Sequence, residues 1–179
     1  MPKLFLHDKN GNPIEIVGSM PGSLPPNVAS IQIKKHSNDG VSATYASLTK
    51  LLKALPRKLD KITIDLHLYS KPEHLAFFVA TFNKTEFLSH RYMWRDPEFE
   101  CLVGGLSQQN DGLKALELKL PPPQLGPSMV SSRSFNMLLQ GISFSLSLEK
   151  FCLEEGDGHP LDQNDLGNRL IAAIQACST

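Results

Sequence analysis

The sequence predicts a mixed α/β fold: about five strand–helix units side by side, their strands forming a parallel sheet and their helices covering one face of it. Three observations carry this expectation. A short spelling, apolar at its first, fourth and sixth positions, recurs with a period of about thirty residues, inside the window that marks stacked units. Each copy is followed by a stretch whose apolar residues share one helical face. The strands themselves alternate: Ile31 and Ile33 flank Gln32, Ile62 and Ile64 flank Thr63, and Leu116 and Leu118 flank Glu117. A doubly wound sheet, buried on both faces, would be apolar throughout. Alternation leaves one face to water.

The elements follow in order. Residues 3–7 and 14–17 read as short strands joined through Asp8-Lys9-Asn10-Gly11-Asn12-Pro13, and Asn-Gly is the strongest short hairpin signal. Residues 1–22 are therefore expected to form a β-hairpin cap that covers the first repeat strand through Leu4, Leu6, Ile14 and Ile16, because a stack of repeats needs its ends sealed. Residues 23–179 are expected to hold the repeats. The copies are Val28-x-x-Ile31-x-Ile33, Leu59-x-x-Ile62-x-Ile64, a weaker Phe87-x-x-His90-x-Tyr92, Leu113-x-x-Leu116-x-Leu118 and Leu148-x-x-Phe151-x-Leu153. Their starts at 28, 59, 87, 113 and 148 lie 31, 28, 26 and 35 residues apart.

Five helical stripes alternate with these strands. Val41, Tyr45, Leu48, Leu52 and Leu55 share a face, and Pro56 ends the run. Leu75, Phe78, Val79 and Phe82 follow, with Pro72 in the first turn. Phe99, Leu102, Val103 and Leu106 repeat that spacing behind Asp96 as N-cap and Pro97 at N1. Phe135, Leu138, Leu139 and Ile142 repeat it again behind Ser131 or Ser132, and Leu166, Leu170, Ile171 and Ile174 form the last stripe. A helix is about 10–12 Å wide and neighbouring strands sit about 4.8 Å apart, so helices on one side only should curve the stack, with the bare sheet inside.

In its five copies, and in the tail Leu161-Asp162-Gln163-Asn164-Asp165-Leu166-Gly167-Asn168-Arg169-Leu170-Ile171-Ala172-Ala173-Ile174, the chain resembles the leucine-rich repeat family. The likeness is to the longer, helix-bearing subclass typified by ribonuclease inhibitor, and it spans roughly residues 28–176. It implies a short horseshoe-shaped solenoid with its parallel sheet on the concave face, its helices on the convex face, and protein binding as its business. Irregular short horseshoes of this kind also resemble effector proteins that intracellular bacteria deliver into host cells.

Composition narrows the classes. The 179 residues fit one domain, with 41% hydrophobic and 20% charged residues. Eighteen Lys and Arg balance eighteen Asp and Glu, so nucleic acid is not the expected partner. Three widely spaced cysteines, Cys101, Cys152 and Cys177, argue against a disulfide framework and for a reducing compartment. The start is too short in apolar residues for a signal peptide, and no apolar run approaches a membrane span. Cytoplasmic residence is expected, in the host cell if the chain is a secreted effector. No phosphate loop, Gly-x-Ser-x-Gly, His-Glu-x-x-His or Cys-x-x-Cys occurs; the expectation is a non-enzyme without cofactor or metal.

The expected register lists the outward residues. One column reads Gln32, Thr63, Arg91, Glu117 and Cys152; the next reads Lys34, Asp65, Met93, Lys119 and Glu154, with Trp94 at the exit of the third strand. This mixed-sign surface suits a protein partner anchored by Trp, Met and Arg. Trp94 is either such an anchor or the filler of an irregular repeat. His90, in an apolar slot, reads as an interior histidine before a catalyst. Cys152 is flanked by Glu149, Glu154 and Glu155, which disfavour a reactive thiolate. Asp157, His159 and Asp162 are too few for a metal site, and Pro121-Pro122-Pro123 either stiffens a strand exit or binds a proline-reading module. The competing class is an enzyme or substrate-recognition subunit with a dispersed site at Cys152, His90 or His159, acting in the effector case on a host protein. The chain is expected to be a monomer, or a weak homodimer through an open C-terminal repeat.

Overall fold

A computed structural model of the chain describes residues 1–16, 21–35, 38–66, 68, 71–91, 96–108, 113–120, 132–143 and 147–155. Along these residues run β1 (Lys3–His7), β2 (Pro13–Ile14), β3 (Ser30–Lys34), β4 (Val41–Ser42), α1 (Tyr45–Lys53), β5 (Leu59–Asp65) and α2 (Pro72–Lys84). After them come β6 (Thr85–Arg91), α3 (Asp96–Ser107), β7 (Ala115–Leu120), α4 (Ser132–Ser143) and β8 (Lys150–Glu155). The fold is mixed α/β, and its sheet is mostly parallel and open. The strands lie in the order β2-β1-β3-β5-β6-β7-β8, with β4 also on β1. From β3 to β8 every pairing is parallel and follows chain order. Antiparallel pairing is confined to β1, with β2, β3 and β4.

Alternation produces the expected asymmetry. Ile31, Ile33, Ile62, Ile64, Leu88, Leu116 and Leu118 are buried in one cluster with Leu48 and Leu52 of α1, Phe77, Phe78 and Phe82 of α2, Leu102 and Leu106 of α3, and Leu138 of α4. The residues between them, such as Gln32, Lys61, Glu117 and Lys119, are only partly buried. The helices pack in chain order, α1 on α2, α2 on α3 and α3 on α4. Equivalent backbone bonds tie the units together at their strand entries: Asp60 N donates to Ala29 O at 2.9 Å, Lys114 N to Glu86 O at 2.9 Å and Glu149 N to Lys114 O at 2.8 Å.

These bonds and the strand register correct the third copy. Leu59 pairs with Thr85, Ile62 with Leu88 and Ile64 with His90, so the unit begins at Thr85, two residues before Phe87. Its pattern is Thr85-x-x-Leu88-x-His90. Thr85 is fully buried and satisfies its hydroxyl by donating to backbone carbonyls, Phe87 O at 2.9 Å and Leu59 O at 3.3 Å. His90 is fully buried and stacks on Phe78, with ring centroids 5.8 Å apart. No loop separates this strand from α2, because β6 starts at the residue after Lys84.

Other expectations shift in detail. Val41 belongs to β4 and not to the first helix; α1 starts at Tyr45 behind a Thr44 capping box, in which Ser47 N donates to Thr44 Oγ1 at 3.1 Å and Thr44 N donates to Ser47 Oγ at 2.9 Å. Pro72 stands in the first turn of α2 as expected. That helix buries His74, Phe77, Phe78, Thr81 and Phe82, whereas Leu75 and Val79 are half-buried. The fifth helical stripe, the tail resemblance, Pro121-Pro122-Pro123, Asp157, His159 and Asp162 lie outside the described residues, as do Met93 and Trp94.

The opening hairpin does seal β3, but as a full member of the sheet. All five residues of β1 pair with β3, from Lys3↔Lys34 to His7↔Ser30. Its loop is organised by Asp8, whose Oδ1 accepts from Asn10 N at 2.8 Å and Asn12 N at 2.9 Å, while Gly11 adopts φ 81. The outer edge of β1 is blunted by β2 over Leu6 and His7 and by β4 over Lys3 and Leu4.

Two predictions follow from this packing. Deleting residues 1–22 uncovers the β3 edge and the buried faces of Ile31 and Ile33; the truncated chain should form light-scattering aggregates where the full chain stays clear, and an unchanged sedimentation profile would contradict it. Neighbouring glycines of α3 should respond oppositely to alanine. A Cβ on Gly105 would lie 2.5 Å from Phe82 Cε2 and 3.1 Å from Phe78 Cβ, whereas on Gly104 it meets only Leu75 Cδ1 at 3.1 Å. Gly105→Ala should cost about 1–3 kcal/mol in urea unfolding, while Gly104→Ala should be neutral or gain up to about 1 kcal/mol of helix propensity.

Candidate interaction face

Parallel register and period two place alternate side chains of successive strands in rows across the non-helical face. The middle row runs Phe5, Gln32, Thr63, Ser89, Glu117, Cys152. Four of the five middle-column residues expected from sequence are brought together: Gln32, Thr63, Glu117 and Cys152. Arg91 is the exception, because the two-residue register correction puts Ser89 in its place. Arg91 instead pairs with Lys119 in the next row, which also holds Lys3, Lys34, Asp65 and Glu154. That position had been expected for Met93. Arg91 and Glu154 are placed by backbone register alone.

The middle of the face is a satisfied polar floor. Gln32 Nε2 donates to Asp65 Oδ2 at 2.8 Å. Ser89 Oγ donates to Glu117 Oε1 at 3.2 Å, and Lys119 Nζ reaches the same oxygen at 3.4 Å. Small hydroxyl residues therefore lie beneath longer neighbours: Ser89 is 0% and Thr63 8% exposed. The Glu117 and Lys119 side chains remain 15% and 34% exposed. Asp65 Oδ1 is the exception, a buried carboxylate oxygen with no hydrogen-bond partner among the described residues.

The third row, His7, Ser30, Lys61, Phe87, Ala115 and Lys150, was missed by the sequence reading. So were Lys3 and Phe5, since the hairpin was read as a cap and not as part of this face. The signal was present: Lys3-Leu4-Phe5-Leu6-His7 and Lys61-Ile62-Thr63-Ile64-Asp65 carry the same alternation. Two aromatic rings now enter the face, and each carries a cation. Lys61 Nζ sits 4.5 Å from the Phe87 ring centroid and Lys34 Nζ sits 5.4 Å from that of Phe5. At exposed sites such contacts contribute about 0.5–1 kcal/mol.

The thiols divide clearly. Cys101 lies in α3 within the core, where burial pushes its thiol up to about 12, so it stays protonated and inert. Cys152 is a free, half-buried thiol in the middle row, opposite Glu117. His90 points to the helical side of the sheet and takes no part in this face. Among the described residues no group of three His, Cys, Asp or Glu is arranged to hold a metal ion, and no helix is long and apolar enough to cross a membrane. Comparison with protein-family models, curated proteins and solved structures returned no match.

The Gln32–Asp65 bond sets a stability prediction. Gln32→Leu strips the part-buried carboxylate of its only side-chain donor among the described residues and should destabilise by about 1–3 kcal/mol. Gln32→Leu combined with Asp65→Leu should recover most of that loss, because no polar atom is then stranded. Urea titrations of the unmodified chain and the two variants measure both effects.

Proposed function

We propose that the chain is a protein-binding module of the leucine-rich repeat type, a short horseshoe that grips a partner protein across the non-helical face of its sheet. The observation that carries this is a set of side-chain rows that no described helix covers. Five successive parallel strands present aligned, partly buried polar and aromatic side chains on one side, while the helices pack together with the core on the other. Helices wider than the strand spacing favour a sheet curved toward that uncovered side. A concave, ordered, polar surface with aromatic patches suits docking another macromolecule. The reading is of binding and not of catalysis, with no cofactor. The free thiols Cys101 and Cys152 fit residence in the cytoplasm, or in a host cell's cytoplasm for a delivered effector.

Site-specific photocrosslinking tests this. A benzophenone amino acid replaces Lys34 on the face or Lys53 on α1 of the helical layer. The expected result in cell extract is a discrete adduct from position 34 that disappears when Glu117→Arg and Lys119→Glu are added, with the fold intact by circular dichroism. Adducts from position 53 alone, or from both positions equally, would overturn the reading.

A further inference from the structure

The charge pattern of the face differs from that of the chain. Overall the chain is neutral, with eighteen basic and eighteen acidic residues. Among the described side chains, the three rows hold five lysines, Lys3, Lys34, Lys61, Lys119 and Lys150, against two carboxylates, Asp65 and Glu117. Among the described side chains, only Lys119 of the five is tied to an acid, Glu117. Lys3 and Lys34 are Cα partners across an antiparallel pair, an arrangement in which like charges oppose each other unfavourably. Their ammonium groups diverge, Lys3 Nζ to Gly40 O at 3.4 Å and Lys34 Nζ over Phe5. Three of the five, Lys3, Lys34 and Lys61, lie at the β1–β3–β5 end, where the rows hold one carboxylate, Asp65.

From this geometry we propose that the partner's contacting element is an acidic, extended peptide segment, lying over Lys3, Lys34 and Lys61. The proposal rests on the docking reading above and names the chemistry of its partner. Lys34 stands opposite Asp65, four residues beyond Lys61 on the neighbouring strand, so the two lysines are about 14 Å apart at Cα by strand geometry. An extended segment spans that distance in about four residues, setting carboxylates at i and i+4 against the two cations. Phe5 and Phe87 supply half-buried rings beside those cations for apolar side chains of the segment. Beyond Lys3 and Phe5 the sheet edge opens into a groove of about 1070 Å³ between β2 and β4 whose lining includes Glu15 and Asp39, so the acidic segment ends over the lysines and does not enter it.

The test uses the full chain and a fluorescein-labelled oligo-glutamate of about ten residues, long enough at about 33 Å to cross the sheet. Fluorescence anisotropy at low salt should show saturable binding that weakens as salt rises. Lys34→Glu with Lys61→Glu should weaken it about tenfold. The milder Lys34→Gln with Lys61→Gln should fall between, which keeps the test informative if the reversed pair misfolds. Lys53→Glu with Lys71→Glu makes the same net charge change on exposed residues of the helical layer, and should stay within about twofold of the unmodified chain. Equal loss in both charge-reversal pairs, or no binding by the unmodified chain, overturns the proposal. Tighter binding of oligothymidylate than of oligo-glutamate, lost with the same two lysines, overturns it in favour of a nucleic-acid surface. If oligo-glutamate fails while the position 34 adduct persists, a partner docks on this face but its element is not acidic.

Discussion

One-sided burial of parallel strands is the constraint from which the rest of this structure follows. Parallel sheets are ordinarily covered on both faces and apolar throughout. Here most alternate positions are polar, so the large aliphatic strand side chains point one way and the helices gather there. Four helices must then fit over a run of parallel strands spaced at about 4.8 Å, although each helix needs about 10 Å. The close approaches show how the layer meets this demand. Gly105 of α3 lies against Phe82 and Phe78 of α2, and Gly141 of α4 faces Val103 and Leu106 of α3. A side chain at these points would push the helices apart and pull the core open. Backbone geometry in the outer layer and side-chain polarity in the inner sheet are therefore two consequences of the same pattern.

Much of this order was legible before any coordinates. The copies at Val28, Leu59, Leu113 and Leu148 fall in register with one another, because their inward positions are large and aliphatic. The third unit was misread because two of its three inward positions are polar by name. Thr85 is buried with its hydroxyl bonded to carbonyls, and His90 is buried with its ring stacked on Phe78. Neither arrangement is visible in a hydropathy pattern, so Phe87 was chosen as the apolar start. Since side chains alternate, a slip of two keeps the same face but moves each residue one row, which is how Ser89 was overlooked and Arg91 displaced. Val41 failed for a different reason. It fits a helical stripe, yet the chain uses it to cover the edge of β1, a tertiary demand that local spacing does not record.

The face itself was half legible. Its middle row came from alternation, but its charge did not, because residues one pleat further along each strand were left out. Lys61 and Lys150 lie one pleat outside the two expected columns, and the five residues of β1 extend the same surface. Those two columns alone are balanced in sign. Register restores the missing lysines and changes the electrostatic character of the surface without altering a single residue.

The lysines at the β1 end invite a plainer explanation, that charge guards an exposed sheet edge against unwanted pairing. Placement argues against it. Edge protection at β1 is already supplied by β2 at Leu6 and His7 and by β4 at Lys3 and Leu4. Lys34 and Lys61 stand on strands inside the sheet, where no edge exists. Each lies over an aromatic ring with its ammonium group within reach of solvent, and neither forms an ion pair among the described residues. By contrast Glu117 and Gln32 are spent on internal bonds that hold the floor in place. A surface on which Glu117 is engaged internally while Lys34 and Lys61 have no acid partner among the described residues is asymmetric toward an incoming anion, and that asymmetry is set by strand register before any partner arrives.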